Sequence, residues 1–179
     1  ITVLFSDLAG FTTLSNKLRA KKMAKVLNEY LNIMITIIGD HGGTIDKFIG
    51  DAIMVFWGAP KELKPKDQAK LATECAKAMQ KAMDELNQSW SEQGIPELKM
   101  RIGINHGDAV VGNFGNEKRS DYSAIGPSIN MASRIESVCT PGDVFVSGIL
   151  GTLLGEDQIE LAGEFQLKGY KNRLLYKLV

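Results

Sequence analysis

The segment from Thr44 to Trp57 leaves a folding chain little choice. Two runs rich in β-branched, aromatic and other apolar residues, Thr44 to Ile49 and Ala52 to Trp57, are separated only by Gly50-Asp51. Strands joined so tightly must be antiparallel, because a parallel return needs a crossover of about a dozen residues or more. Gly at the first loop position meets the positive φ that a two-residue hairpin demands. Asp51 therefore stands at the hairpin tip. Long stretches of helical period lie on either side. Before the hairpin, Met23, Val26, Leu27, Tyr30, Leu31, Met34, Ile37 and Ile38 recur at three- and four-residue spacing, the pattern of one buried face. His41-Gly42-Gly43 ends that helix. After the hairpin, Pro65 and Asp67 open a second helix with Ala72, Cys75, Ala76, Met79, Met83, Leu86 and Trp90 on one side.

The flanks complete the pattern. Ile1 to Phe5 is a continuous apolar run, read as a buried strand, and a helix start is expected at Thr12. Leu98 to Asn105 and Ala109 to Phe114 read as a further strand pair, and Pro127 leads a short helix over Ser128 to Val138. Val144 to Ser147, Ile159 to Leu167 and Leu174 to Val179 read as strands around a short helix near Ile149 to Leu154. This order predicts an α+β fold, a ferredoxin-like βαββαβ core with a C-terminal α/β extension. A length of 179 residues without repeat or linker gives one domain, residues 1–179. A chain that opens at Ile1 directly into a strand is expected to be a domain excised from a longer multidomain protein.

Charge narrows the partners. Lys plus Arg and Asp plus Glu are equal at 21 each, so no global field draws the chain to nucleic acid or to an acidic membrane. If the substrate is a polyanion, positive charge must be placed locally. The run Lys17, Arg19, Lys21, Lys22 and Lys25 reads as a solvated helix face, and no nucleic-acid role is expected. No stretch approaches the ~18 apolar residues of a membrane span, so no direct membrane contact is expected in this segment. Two cysteines, Cys75 and Cys139, form neither a disulfide framework nor a metal motif, which fits a reducing, cytoplasmic setting.

Two constellations can carry chemistry. Asp7 follows the first strand and precedes Gly10, Phe11 and Thr12, where a glycine loop opens a helix whose free N–H groups favour a phosphate. In a ferredoxin-like sheet the hairpin can lie beside that strand, so Asp7 and Asp51 can meet. Two carboxylates with phosphates nearby suit Mg²⁺, a hard ion with oxygen ligands. Taken singly, Asp7 also reads as a helix cap and Asp51 as a turn residue. The second constellation is Asn130 and Arg134, four residues apart on one helical stripe, a forked donor set beside an amide; it also reads as a solvated polar face.

Three segments, Phe5 to Thr12, Asp46 to Met54 and Asp121 to Arg134, in that order, resemble the class III adenylate/guanylate cyclase catalytic domain, and the resemblance runs from Ile1 to the end. It implies that Asp7 and Asp51, with the Leu8 carbonyl, bind two Mg²⁺ or Mn²⁺ ions per active site. It implies that Lys47 and Ser123 read the purine, that Asn130 orients the ribose, and that Arg134 stabilises the α-phosphate. Lys168 matches a triphosphate-binding lysine and Arg101 a further phosphate contact. The implied reaction is in-line attack of the ribose 3′-hydroxyl on the α-phosphate of ATP, giving 3′,5′-cyclic AMP and pyrophosphate.

Lys carries only donors, which suits adenine N1 and opposes guanine N1–H. The Ser123 hydroxyl can accept from the adenine amino group but can also donate, so it discriminates less. A mismatched buried polar group costs about 1–3 kcal/mol, roughly a ten- to hundred-fold preference. The resemblance also implies sites at a subunit interface, and both half-sets are present here, so a homodimer with two shared sites is expected. A regulatory domain is expected outside this segment. The competing readings are a guanylate cyclase and a non-catalytic nucleotide-sensing or dimerisation module of cyclase type. A diguanylate-cyclase-like nucleotidyltransferase lacks its Gly-Gly-Asp/Glu-Glu-Phe signature here.

Overall fold

The structure, a computed structural model, describes residues 1–179. Strand β1 (Thr2–Ala9) is followed by two helices, α1 (Phe11–Lys17) and α2 (Ala20–Asp40). The hairpin β2 (Thr44–Ile49) and β3 (Ala52–Trp57) leads to α3 (Pro65–Glu92) and β4 (Lys99–His106). These strands lie in the order β2-β3-β1-β4, with β1 antiparallel to both β3 and β4. That is the ferredoxin-like core. Gly50 takes a φ of 61°, the left-handed value the two-residue loop requires.

The extension continues the same sheet. After β4 come β5 (Val110–Asn116), β6 (Arg119–Ile125), α4 (Pro127–Val138), β7 (Val144–Ser147) and α5 (Gly148–Leu154). A short 3₁₀ turn at Glu156–Gln158, β8 (Ile159–Phe165) and β9 (Arg173–Leu178) finish the chain. Strand β7 adds parallel to β4, then β9 and β8 follow, making seven strands in all. Helices α2 and α3 cover one face, where Leu4, Leu8, Ile53, Val55 and Ile102 meet Tyr30, Met34, Met79 and Trp90. Helix α4 lies on the other face, with Ile129 and Ala132 against Val3, Met54 and Phe56.

Three expectations need correction. Strand β1 does not stop at Phe5 but runs to Ala9, so Asp7 belongs to the sheet. The first helix is two, because Leu18 and Arg19 are extended between α1 and α2. Leu98 to Asn105 and Ala109 to Phe114 do not pair: β4 lies between β1 and β7, whereas β5 pairs with the unforeseen β6 in a separate two-stranded ribbon.

Candidate functional site

The extra length of β1 decides the acidic half of the site. The β1–β4 register sets Asp7 directly across from Arg101. The Arg101 guanidinium forks onto this carboxylate, with Nε donating to Oδ1 at 2.9 Å and an Nη to Oδ2 at 2.8 Å. On α4, Glu136 brings Oε1 to 3.5 Å from the same Nε. From the hairpin tip, Asp51 Oδ2 accepts the Leu8 N–H at 2.7 Å, which ties the tip to β1. Asp7 and Asp51 are thus brought together at one end of the sheet, where β1 finishes. The cap reading of Asp7 is excluded, since α1 is capped by Gly10 (φ 81°) with no side-chain bond.

The electrostatics show what this end of the sheet lacks. Burial raises the Asp51 carboxyl above its ordinary value, and the Asp7 charge adds to the rise. Burial, then the Asp7 carboxyl, pushes Glu136 up to about 8. Glu136 Oε1 is buried without a hydrogen-bond partner. Three carboxyl groups share one guanidinium, a cluster short of positive charge. A divalent cation fits that deficit. Only two of the carboxylates belong to the expected set, and no group of three acidic, His or Cys side chains forms a cage by itself. This donor set matches Mg²⁺ or Mn²⁺ completing their shells with water and substrate phosphate. Arg101, expected on a phosphate, is engaged with Asp7 instead.

A second cluster forms around Asp46, which the sequence did not single out. The β2–β3 register slips between Ile45 and Lys47, leaving Asp46 as a bulged residue. Its side chain, 2% exposed, turns inward. Asp46 Oδ2 accepts from the Ser123 hydroxyl at 2.7 Å and from the Ala124 N–H at 2.9 Å. Lys47 Nζ stands 3.6 Å from Oδ1. The two candidate purine readers, one on β2 and one on β6, therefore share one carboxylate.

Helix α4 carries the third group. Its start is pinned by Asn105 Nδ2 donating to the Ser128 carbonyl at 3.0 Å and by the Ser128 hydroxyl donating to the Asp108 carbonyl at 2.6 Å. Asn130 is exposed, while Arg134 is half-buried and its Nε has no hydrogen-bond partner within the chain. A buried donor without a partner costs about 1–3 kcal/mol, so this guanidinium is short of an acceptor. Exposed Lys168 lies on a turn held at both ends. Leu167 is buried beside Ile135, and the Tyr170 hydroxyl donates to the Pro127 carbonyl at 3.3 Å.

Comparison with known proteins agrees with this geometry. The family model described as "Adenylate and Guanylate cyclase catalytic domain" matches residues 1–179. The chain belongs to this family. Adenylate cyclase 1 of Rhizobium meliloti is 34% identical to the domain over 138 residues, 77% of this chain and 20% of that protein. An adenylate cyclase of Anabaena cylindrica is 37% identical over 142 residues, 77% of this chain and 27% of its own length. The cyclase domain thus spans only about a fifth to a quarter of these relatives. Among solved structures, the adenylyl cyclase CyaB of P. aeruginosa is 43% identical with a TM-score of 0.95, covering 99% of this chain and 92% of that one. The guanylyl cyclase Cya2 is 40% identical with a TM-score of 0.91, covering 99% and 90%.

Proposed function

We propose that this cyclase domain converts ATP to 3′,5′-cyclic AMP and pyrophosphate, in two sites shared across a homodimer. The observation that carries the reading is the presence of two separate half-sites in one chain. Asp7 and Asp51 meet at the C-terminal end of β1, while Lys47 and Ser123 gather around Asp46 beside the helix bearing Asn130 and Arg134. A two-fold axis that faces one half-site with the other makes two complete sites. The apolar residues Phe48, Ile49, Val110, Phe114 and Ile125, exposed on the hairpin and the β5–β6 ribbon, support an interface on that side.

Each side chain then has a task. Asp7, the Leu8 carbonyl and Asp51 would hold two Mg²⁺ or Mn²⁺ ions. When bound, these ions neutralise phosphate charge and lower the pKa of the attacking 3′-hydroxyl. From the partner chain, Lys47 donates to adenine N1 and Ser123 accepts from the adenine amino group. Asn130 orients the ribose so that its 3′-oxygen lies in line with the α-phosphorus, where positioning supplies much of the rate. Arg134, with its Nε unpartnered in the single chain, meets the charge that develops on the α-phosphate. Lys168 binds the departing pyrophosphate. The Gly10-Phe11-Thr12 turn presents backbone N–H groups to the phosphates, with buried Phe11 anchoring it in the core. Arg101 can turn from Asp7 to a phosphate once cations balance the carboxylates.

A guanylate cyclase reading has one specific support, the 40% identity to Cya2. Lys47 argues against it, because its ammonium opposes guanine N1–H. The deciding experiment is incubation with ATP or GTP and Mg²⁺ or Mn²⁺, with separation of cyclic from linear products. Cyclic AMP as the main product is expected. Cyclic GMP as the main product supports the second reading, and no cyclic nucleotide under any condition leaves a nucleotide-sensing module.

A further inference from the structure

We infer that Asp46 is a positioning residue that sets the purine preference of the site, by fixing the Ser123 hydroxyl as a hydrogen-bond acceptor toward the base. This rests on Lys47 and Ser123 reading the purine. A hydroxyl has one proton and two lone pairs. Left free, Ser123 can turn its proton outward to a guanine O6 as readily as it can accept from an adenine amino group. In this fold it is not free. The Asp46 carboxylate lies 2.7 Å from Ser123 Oγ and accepts its hydrogen bond, which holds the hydroxyl proton inward. Only lone pairs then remain for the base.

The carboxylate is itself held. Its Oδ2 also accepts the Ala124 N–H at 2.9 Å, so its position is fixed by the β6 backbone as well as by the bulge in β2. Its Oδ1 faces the ammonium of the half-exposed Lys47 at 3.6 Å. With an acceptor at Ser123 and a donor at Lys47, the pair complements the adenine 6-amino group and N1. Guanine offers the opposite polarity at both atoms. The bulge is the device that makes this possible: regular pairing at Asp46 would continue the period-two alternation and would not give this extra inward turn.

The test compares kcat/KM for ATP and GTP in the wild type, Asp46→Ala, Ser123→Ala and the double variant, each with a thermal melt. In Asp46→Ala the Ser123 hydroxyl loses the acceptor that holds its proton inward, so the proton is free to turn toward the base. The ATP/GTP ratio is expected to fall about ten-fold or more, with GTP turnover maintained or raised. In the Ser123→Ala background the same substitution is expected to leave the ratio unchanged. Equal loss with both nucleotides, or an equal ratio change without Ser123, overturns the inference.

Substrate analogues give the answer in the unaltered enzyme even if Asp46→Ala does not fold. The 6-methoxypurine ribonucleoside triphosphate, with only an acceptor at position 6, is expected to be at least ten-fold worse than the similarly sized 6-methylaminopurine analogue. Equal turnover of the two overturns the inference. Failure of the underlying reading looks different: Lys47→Glu and Ser123→Ala then lower ATP and GTP turnover alike, without moving their ratio.

Discussion

Gly103 tests whether the seating of α4 on the sheet controls the chemistry. It lies in β4, opposite Phe5 of β1 and Phe145 of β7, on the face that α4 covers. A Cβ there would lie 2.2 Å from the Glu136 amide nitrogen and 2.7 Å from the Ala132 carbonyl oxygen. Both are backbone atoms, so no side-chain rotation relieves the clash. Ordinary contact begins near 3.4 Å, and a Gly103→Ala helix must retreat by roughly 1 Å. Overpacking of this kind costs about 1–3 kcal/mol. At this chain length each kcal/mol lowers Tm by about 2–4 °C, giving a fall of roughly 2–12 °C. The displaced helix carries Asn130 and Arg134, and a 1 Å misplacement of reacting groups costs about a hundred-fold in rate. The assay is a thermal melt followed by steady-state cyclisation of ATP well below the melt. An unchanged Tm refutes the close approach. A lowered Tm with wild-type kcat refutes the link from α4 to the chemistry.

Other perturbations address separate parts of the account. Lys47→Glu is expected to reduce kcat/KM for ATP by roughly ten- to hundred-fold while GTP suffers less; equal loss with both nucleotides argues against base reading. Arg101→Met leaves Asp7, Asp51 and Glu136 without their guanidinium, so Tm in chelator should drop and Mg²⁺ or Mn²⁺ should raise it by more than in the wild type. An unchanged metal-induced rise counts against a cation at these carboxylates. Burial pushes the Cys75 and Cys139 thiols up to about 12, so both should react with a thiol reagent at pH 8 only as the domain unfolds. Above the ordinary thiol value of about 8.5 the unfolded chain sheds protons the folded one keeps, so stability should fall as pH rises from there toward 12. Fast labelling of native protein at pH 8 contradicts this.

The sequence was legible where local rules decide. Gly50-Asp51 announced a hairpin because only one connection fits so short a loop, and Pro127 announced α4 because its missing N–H costs nothing in a first turn. The core order followed from the two periodic helices around that hairpin. What stayed hidden depends on contacts distant in sequence. Strand β6 opens Arg119-Ser-Asp-Tyr, too polar to read as a strand, and acquires its structure by pairing with β5. The break at Leu18–Arg19 has no Gly or Pro to mark it.

The candidate site divides the same way. Asp7, Asp51, Asn130 and Arg134 were visible from motif and spacing. Asp46 was missed because a bulge without glycine leaves no trace in a period-two pattern. Glu136 was missed because its neighbour Asp7 lies on another element, brought near only when α4 crosses β1 and β4. A signal for Asp46 was nonetheless present: an acid between Ile45 and Lys47, in a run read as a strand, where Asp is disfavoured.

If each chain supplies half of each active site, as proposed, two differently disabled chains should complement one another. Asp51→Ala removes one proposed metal ligand and Arg134→Ala the proposed α-phosphate contact, so each homodimer should be inactive. Mixed and allowed to exchange, half of the dimers become heterodimers with one intact site and one doubly defective site. Cyclic AMP formation should then recover to roughly a quarter of the wild-type rate. No recovery, with heterodimers demonstrated by differential tagging, contradicts shared sites.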